Sequence, residues 1–200
     1  DSPERQTWEG YDAFAQTRVA RQFIRNQSKS GQPFLLVMSY GSPHNPYHTA
    51  PPEYQSMYDP ENIKLRPNVP QDQQAAAKKE LAGYFAHCSA LDDCVSDLLA
   101  TLKETGIDDN TIIVFTSDHG DMLHSHGQIR KQKPWDESLR VPMLFRLNGA
   151  EHDKGRTVDA PINSEDLMPT LLGLCKVAIP ETVEGLDYSG YLRGGKNPSD

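Results

Sequence analysis

Six consecutive residues, Thr116-Ser117-Asp118-His119-Gly120-Asp121, form the densest run of polar chemistry in the chain. A carboxylate oxygen and a neutral imidazole nitrogen are both divalent-metal donors, and neighbours on an irregular turn can face one ion. Asp118 and His119 are therefore candidate metal ligands; the plain alternative is that Asp118 caps the following segment while His119 packs. A second histidine, His44, stands in Ser42-Pro43-His44-Asn45-Pro46. The prolines stiffen its backbone, which suits a group that must be aimed, such as a general acid, although loops also carry surface histidines without function. Arg130, Lys131 and Lys133 then concentrate positive charge in a chain of net charge −8. Such a cluster can hold an anion or be only a solvated face. His119, His124 and His126 suggest zinc, but no HExxH motif and no paired cysteines complete a ligand set.

These groups need elements to hold them. Phe34-Leu35-Leu36-Val37-Met38 and Thr111-Ile112-Ile113-Val114-Phe115 are continuous apolar runs bounded by turn residues, the pattern of strands buried on both faces. Val141 to Leu147 reads as a third strand, with Pro142 near its start. Ligands of open α/β sheets bind beyond the carboxyl ends of strands, where His44 and the Asp118-His119 pair both fall. Tyr11, Ala15, Val19 and Phe23 recur every fourth residue and predict a helix over 11–25 that ends at Gly31-Gln32-Pro33. Leu81, Tyr84, Phe85, Cys88, Leu91, Val95, Leu98, Leu99 and Leu102 predict a second helix, stopped at Gly106. A third carries Leu167, Leu171, Leu172 and Leu174, with Ser164 as candidate N-cap and a kink or late start expected at Pro169. Between Gly41 and Pro70 seven prolines predict a long surface excursion. Strands separated by helices imply an α/β fold with a mainly parallel or mixed sheet flanked by helices. Three strands are few against about five or six in a typical sheet, so further strands are expected in sequence beyond these residues.

The 200 residues suit one domain. An acidic balance, 20 basic against 28 acidic residues, disfavours nucleic acid and anionic lipid as partners, because both need a basic face. No apolar run approaches the roughly 18 residues of a membrane span. Cys88 and Cys94 lie about 9 Å apart along a helix, too far for a bridge. The start, Asp1-Ser2-Pro3-Glu4-Arg5, has no initiator Met and no signal-peptide pattern, which suggests that the chain begins in mid-protein.

Taken in order, these segments resemble the sulfatase family of the alkaline-phosphatase-like superfamily. The matching parts are the apolar strand running into Ser42-Pro43-His44-Asn45-Pro46, the helix ending ALDDCVSDLLATL, the strand TIIVFTSDHGDMLHSHG, K-x-x-P-W-D-E-S-L-R-V-P from Lys131, and SEDLMPTLLGLCKVAIPETVEG. The resemblance runs from about Tyr11 to Leu192. It implies that residues 1–200 are the middle to late part of one alkaline-phosphatase-like catalytic domain, without its amino-terminal part or the small carboxy-terminal domain. It also implies a divalent metal, usually calcium, with Asp118 and His119 among its ligands. His44 matches the histidine that bonds the sulfate and protonates the leaving alcohol, and Lys131 matches the lysine on the sulfate oxygens. The implied substrate is a small-molecule or carbohydrate sulfate ester. The family nucleophile is a formylglycine made from Cys or Ser in C/S-x-P-x-R, a motif that occurs nowhere in this sequence. It is expected in an amino-terminal segment outside these residues, and the chain alone is expected to be inactive. A phosphonate or phosphodiester hydrolase of the same superfamily, or a non-catalytic module that keeps the fold, are the alternatives.

Overall fold

The computed structural model describes residues 7–147 and 155–199; the Asp1 to Arg5 stretch lies outside them. The chain divides into two compact units, Asp1–His152 and Asp153–Asp200.

The first unit is built on two helices. α1 spans Asp12–Ser30 and ends at Gly31, whose left-handed backbone (φ 67°) serves as the C-cap. Its buried side is Ala13, Ala15, Thr17, Ala20 and Ile24, whereas Val19 is 57% exposed, so the predicted every-fourth stripe is turned partly towards solvent. α2 is the single turn Pro52–Gln55, and α3 runs Gln74–Glu104, about 46 Å at 1.5 Å per residue. Tyr11 meets His87, Arg21 meets Asp97 and Thr101, and Arg25 meets Glu104. The contacts advance together along both helices, so α1 and α3 lie parallel. Of the predicted α3 stripe of large residues only Leu102 is fully buried and the rest are half-buried; the covered face is mostly small, with Ala77, Ala82, Ala86, Ala90 and Cys94 beside His87 and Thr101. Small side chains let backbones approach closely, and periodicity of large residues cannot report that.

Parallel helices require the chain to return from the end of α1 to the start of α3. Residues 31–73 make that return. It is less a surface excursion than expected: Tyr47, Ala50, Tyr54 and Val69 are buried. Tyr54 Oη donates to Asp93 Oδ2 at 2.6 Å, and Ala50 and Tyr54 form one cluster with Ala86 and Ala90 of α3.

The described residues show only a small part of the expected sheet. Among the described residues it has two strands, β1 Ile113–Phe115 and β2 Leu144–Arg146, paired antiparallel with Val114 opposite Phe145. A parallel pair needs a crossover, usually a helix, but the connection between them carries no helix longer than α4, the four residues Asp136–Leu139. Phe34–Met38 forms no strand among the described residues. Leu35 and Val37 are 79% and 76% exposed while Phe34, Leu36 and Met38 are half-buried, so this run is covered on one face rather than two. No helix of the described residues is long and apolar enough to cross a membrane.

In the second unit, α5 spans Ser164–Leu174 and α6 Ser189–Leu192. Asn163, not Ser164, stands at the cap of α5; its N–H donates to Asp166 Oδ2 at 2.8 Å. Pro169 neither delays nor divides the helix. Its ring nitrogen cannot bond the Glu165 carbonyl, and Gly185 lies against that oxygen so closely that a Cβ there would sit 2.1 Å from it. Buried Asp166 and Thr170 hold the same returning strand of chain, accepting from the Leu186 and Tyr188 N–H groups at 2.8 and 3.0 Å.

Candidate active site

His44 and Lys131 are 87 residues apart in sequence and 2.9 Å apart in space. His44 Nδ1 lies 2.8 Å from the Asn45 carbonyl, which can only accept, so Nδ1 carries the ring proton of the neutral imidazole. Nε2 is then a lone pair, and the Lys131 ammonium donates to it. Arg130 and Gln132, on either side of Lys131, both adopt positive φ (67° and 62°). For residues with a Cβ this costs of order 1 kcal/mol each, and here it turns the chain so that Lys131 faces the His44 loop. Lys133 is elsewhere engaged: its N–H donates to Ser138 Oγ at 3.3 Å.

Asp118 and His119 follow β1 directly, the latter turned back upon the former. The His119 N–H donates to Asp118 Oδ1 at 3.0 Å, and Nδ1 lies 2.8 Å from the Gly120 carbonyl. That carbonyl fixes the proton on Nδ1, leaving the Nε2 lone pair 3.4 Å from Asp118 Oδ2. Two acceptors side by side with no proton between them form an arrangement that a cation relieves. The turn is clamped from behind, because Gly120 N–H donates to the Ser138 carbonyl at 2.9 Å and a Cβ on Gly120 would lie 2.1 Å from the Glu137 oxygen. Among the described residues no group of three His, Cys, Asp or Glu converges as a metal cage, so this pair stands as two donors. His124 and His126 do not join it. His124 is buried against Gln73 Oε1 and Glu80 Oε2 at 2.9 and 3.2 Å, and His126 stacks on Trp135 at 5.2 Å.

Tyr47, which the sequence reading did not single out, joins these segments through Asp121 and Arg130. Tyr47 Oη donates to Asp121 Oδ2 at 2.7 Å and accepts from Arg130 Nη1 at 3.0 Å, while the guanidinium lies over the Tyr47 ring. Met122 N–H donates to the Arg130 carbonyl at 2.8 Å. Tyr47 is three residues from His44, Asp121 two from His119, and Arg130 next to Lys131, so one hydroxyl ties all three segments together. Burial first, then the Asp121 carboxylate, drives the Tyr47 hydroxyl well above the usual phenol range. No local pattern marks such a residue, because its partners lie 74 and 83 positions away.

A similar tie anchors the other side of the His44 loop. Tyr11 Oη donates to Ser42 Oγ at 2.7 Å and sits 2.7 Å from His87 Nδ1. With its single proton given to Ser42, Tyr11 accepts from Nδ1–H, and among the described residues no hydrogen bond of good geometry reaches buried His87 Nε2. Burial lowers the His87 pKa and pushes Tyr11 up to about 12. An open cleft of about 650 Å³ runs past these groups, lined among others by Asp12, Ser42, His44 and His87.

Comparison with known proteins identifies the family of the chain. The chain is 42% identical over 200 residues to a protein of Formosa agariphila described as an ulvan-active sulfatase, covering 99% of this chain and 39% of that one. It is 33% identical over 192 residues to an arylsulfatase of Clostridium perfringens, covering 85% and 39%. The solved structure of a phosphonate monoester hydrolase from Silicibacter pomeroyi superposes with a TM-score of 0.81 at 28% identity, covering 92% of this chain and 42% of that one. The chain thus spans about two fifths of the length of the relatives it matches. Residues 1–177 match the Sulfatase family model, and the chain belongs to the sulfatase family.

Proposed function

We propose that the chain is the middle to late part of one catalytic domain in a hydrolase that cleaves sulfate monoesters of a carbohydrate or small molecule. The contact between His44 and Lys131 is the observation that carries the reading. Loss of an alkoxide from a sulfate ester needs a proton for the leaving oxygen and fixed positive charge beside the sulfuryl oxygens. Lys131 supplies the charge and His44 the proton. Nε2 must take up a proton before it can give one, so Lys131 has to leave the imidazole and turn to the ester oxygens when substrate enters. Asp118 and His119 would hold a divalent cation, calcium by family resemblance, and when bound that ion adds positive charge at the sulfuryl group.

The thiols of this chain do not supply a nucleophile. None lies in C/S-x-P-x-R, and burial pushes the Cys88 thiol up to about 11. The formylglycine of the family would come from sequence outside these residues, and the 200-residue chain by itself would release no sulfate.

The test is sulfate release from an aryl sulfate by the parent protein. His44→Ala and Lys131→Ala should each lower kcat by about 10²-fold or more. Unchanged turnover in both variants would overturn the assignment. The likeness to a phosphonate monoester hydrolase favours a second reading, hydrolysis of a phosphonate ester with the same residues. Comparing kcat/KM for a phenyl phosphonate ester and for the aryl sulfate decides between the two.

A further inference from the structure

The His44 ring bonds the Asn45 carbonyl and Lys131, and Lys131 has to leave it when substrate enters. From that moment the direction of Nε2 rests on the backbone of residues 41–47. Groups from both long helices hold that backbone. Tyr11, at the start of α1, donates to Ser42 Oγ at 2.7 Å, two residues before His44. His87, in the middle of α3, is only 2% exposed; its Nδ1 lies 2.7 Å from the same Tyr11 hydroxyl, and the two rings stack at 5.7 Å. Burial lowers the His87 pKa while the Pro46 carbonyl acts the other way, so that oxygen, two residues after His44, faces the same imidazole. One turn earlier on α3, Gly83 lies against the Tyr47 carbonyl, where a Cβ would sit 2.5 Å from the oxygen. His87 thus reaches both flanks of His44, the first through Tyr11 and the second directly.

As core filling the imidazole is a poor choice. An apolar side chain would occupy the space without burying Nε2, which among the described residues has no hydrogen bond of good geometry. We infer that His87, acting through Tyr11 and the Pro46 carbonyl, is the positioning residue of His44: it keeps Ser42 and Pro46 at a fixed separation, and with them the direction of Nε2 after Lys131 has turned away. This rests on the reading of His44 as proton donor to the leaving oxygen. Proton transfer works only within hydrogen-bond reach, and a displacement of about 1 Å can cost about 10²-fold in rate. His87 itself transfers no proton; its contribution is geometric.

The experiment compares the parent protein on phenyl sulfate, whose basic leaving oxygen needs the proton, and on p-nitrophenyl sulfate, whose leaving oxygen needs it less. His87→Leu and Tyr11→Phe should each lower kcat by about tenfold or more on phenyl sulfate and by less than about threefold on p-nitrophenyl sulfate, with KM nearly constant. The double variant should lose no more than the worse single one, because both act along one path. His87→Asn, whose amide N–H can replace Nδ1–H, should recover most of the loss. A purely structural residue would lower the folded fraction and both rates alike, so equal losses on the two esters, or none on either, overturn the positioning role. Tyr11→Phe removes a single oxygen and carries the test if His87→Leu fails to fold. His44→Ala is the control: if it alone shows the leaving-group dependence, the sulfatase reading stands and the positioning role falls. If the parent cleaves neither ester, the sulfatase reading falls, and the NMR signal of the His44 ring in isotope-labelled protein decides the rest. A shift of that signal in Tyr11→Phe keeps the positioning role, and an unchanged signal removes it.

Discussion

Lys131 and Lys133 carry the same charge two positions apart, and only Lys131 reaches the His44 imidazole, while the backbone of Lys133 is bonded to Ser138. In the parent protein Lys131→Ala should lower kcat/KM by orders of magnitude and Lys133→Ala by less than about threefold, because charge stabilisation is lost only in the first. Steady-state kinetics with both variants checks this; equal losses would move the role away from Lys131. His87 makes a different prediction. Its folded pKa lies below the ordinary value of 6.5, chiefly through desolvation, so the unfolded chain binds its proton first as pH falls. The neutral ring's contribution is intact above about pH 6.5 and declines below it. Denaturant unfolding between pH 7.5 and 5 should show that loss, and His87→Gln should flatten it. The residue types of His44, Lys131, Asp118 and His119 were legible in the sequence, since each announces its chemistry. Tyr47 was not, because a tyrosine hydroxyl acquires its meaning only when chain segments over seventy residues apart, those of Asp121 and Arg130, converge on it.

Elements were legible where a chain pattern is sufficient cause. α3 ends where Gly106 allows, and its body follows from apolar steps of three and four, but its first turns, Gln74 to Glu80, carry no apolar stripe. Strands were harder to read: an apolar run says that a segment wants cover, and the partner that covers it is not written in the run. Among the described residues Phe34–Met38 finds cover on one face, and β1 has one antiparallel neighbour, which leaves the parallel or mixed sheet of the expectation unconfirmed. Pro169 misled for a definable reason, since the carbonyl it leaves unbonded is accommodated by a glycine sixteen residues on. Gly185→Ala should therefore destabilise the second unit by about 1–3 kcal/mol, the usual cost of forcing a methyl into packed surroundings. A shift in the denaturation midpoint measures it, and no shift would mean that the Glu165 carbonyl can move aside.

At the scale of the whole chain, 28 acidic residues outnumber 20 basic ones, while Lys131 meets His44 at the edge of the first cleft and Arg130 and Lys79 line a second cleft. Those clefts are assembled from distant sequence. His44 with Lys131, Tyr47 with Asp121 and Arg130, and Asn68 with Glu137 are separated by 87, 74, 83 and 69 residues. A helix needs only its own neighbours, whereas each of these contacts must close a long loop before it gains anything. Order of assembly follows: α1 and α3 form early, and the active cleft is completed last and lost first on partial unfolding. Trp135, stacked on His126 beside Glu137, is a built-in reporter once Trp8 is replaced by Phe. In stopped-flow refolding, helical circular dichroism should recover before the Trp135 fluorescence does; coincident traces would mean that site and helices are made in one step. A slightly destabilised variant would then remain largely helical while already unable to bring His44 to Lys131.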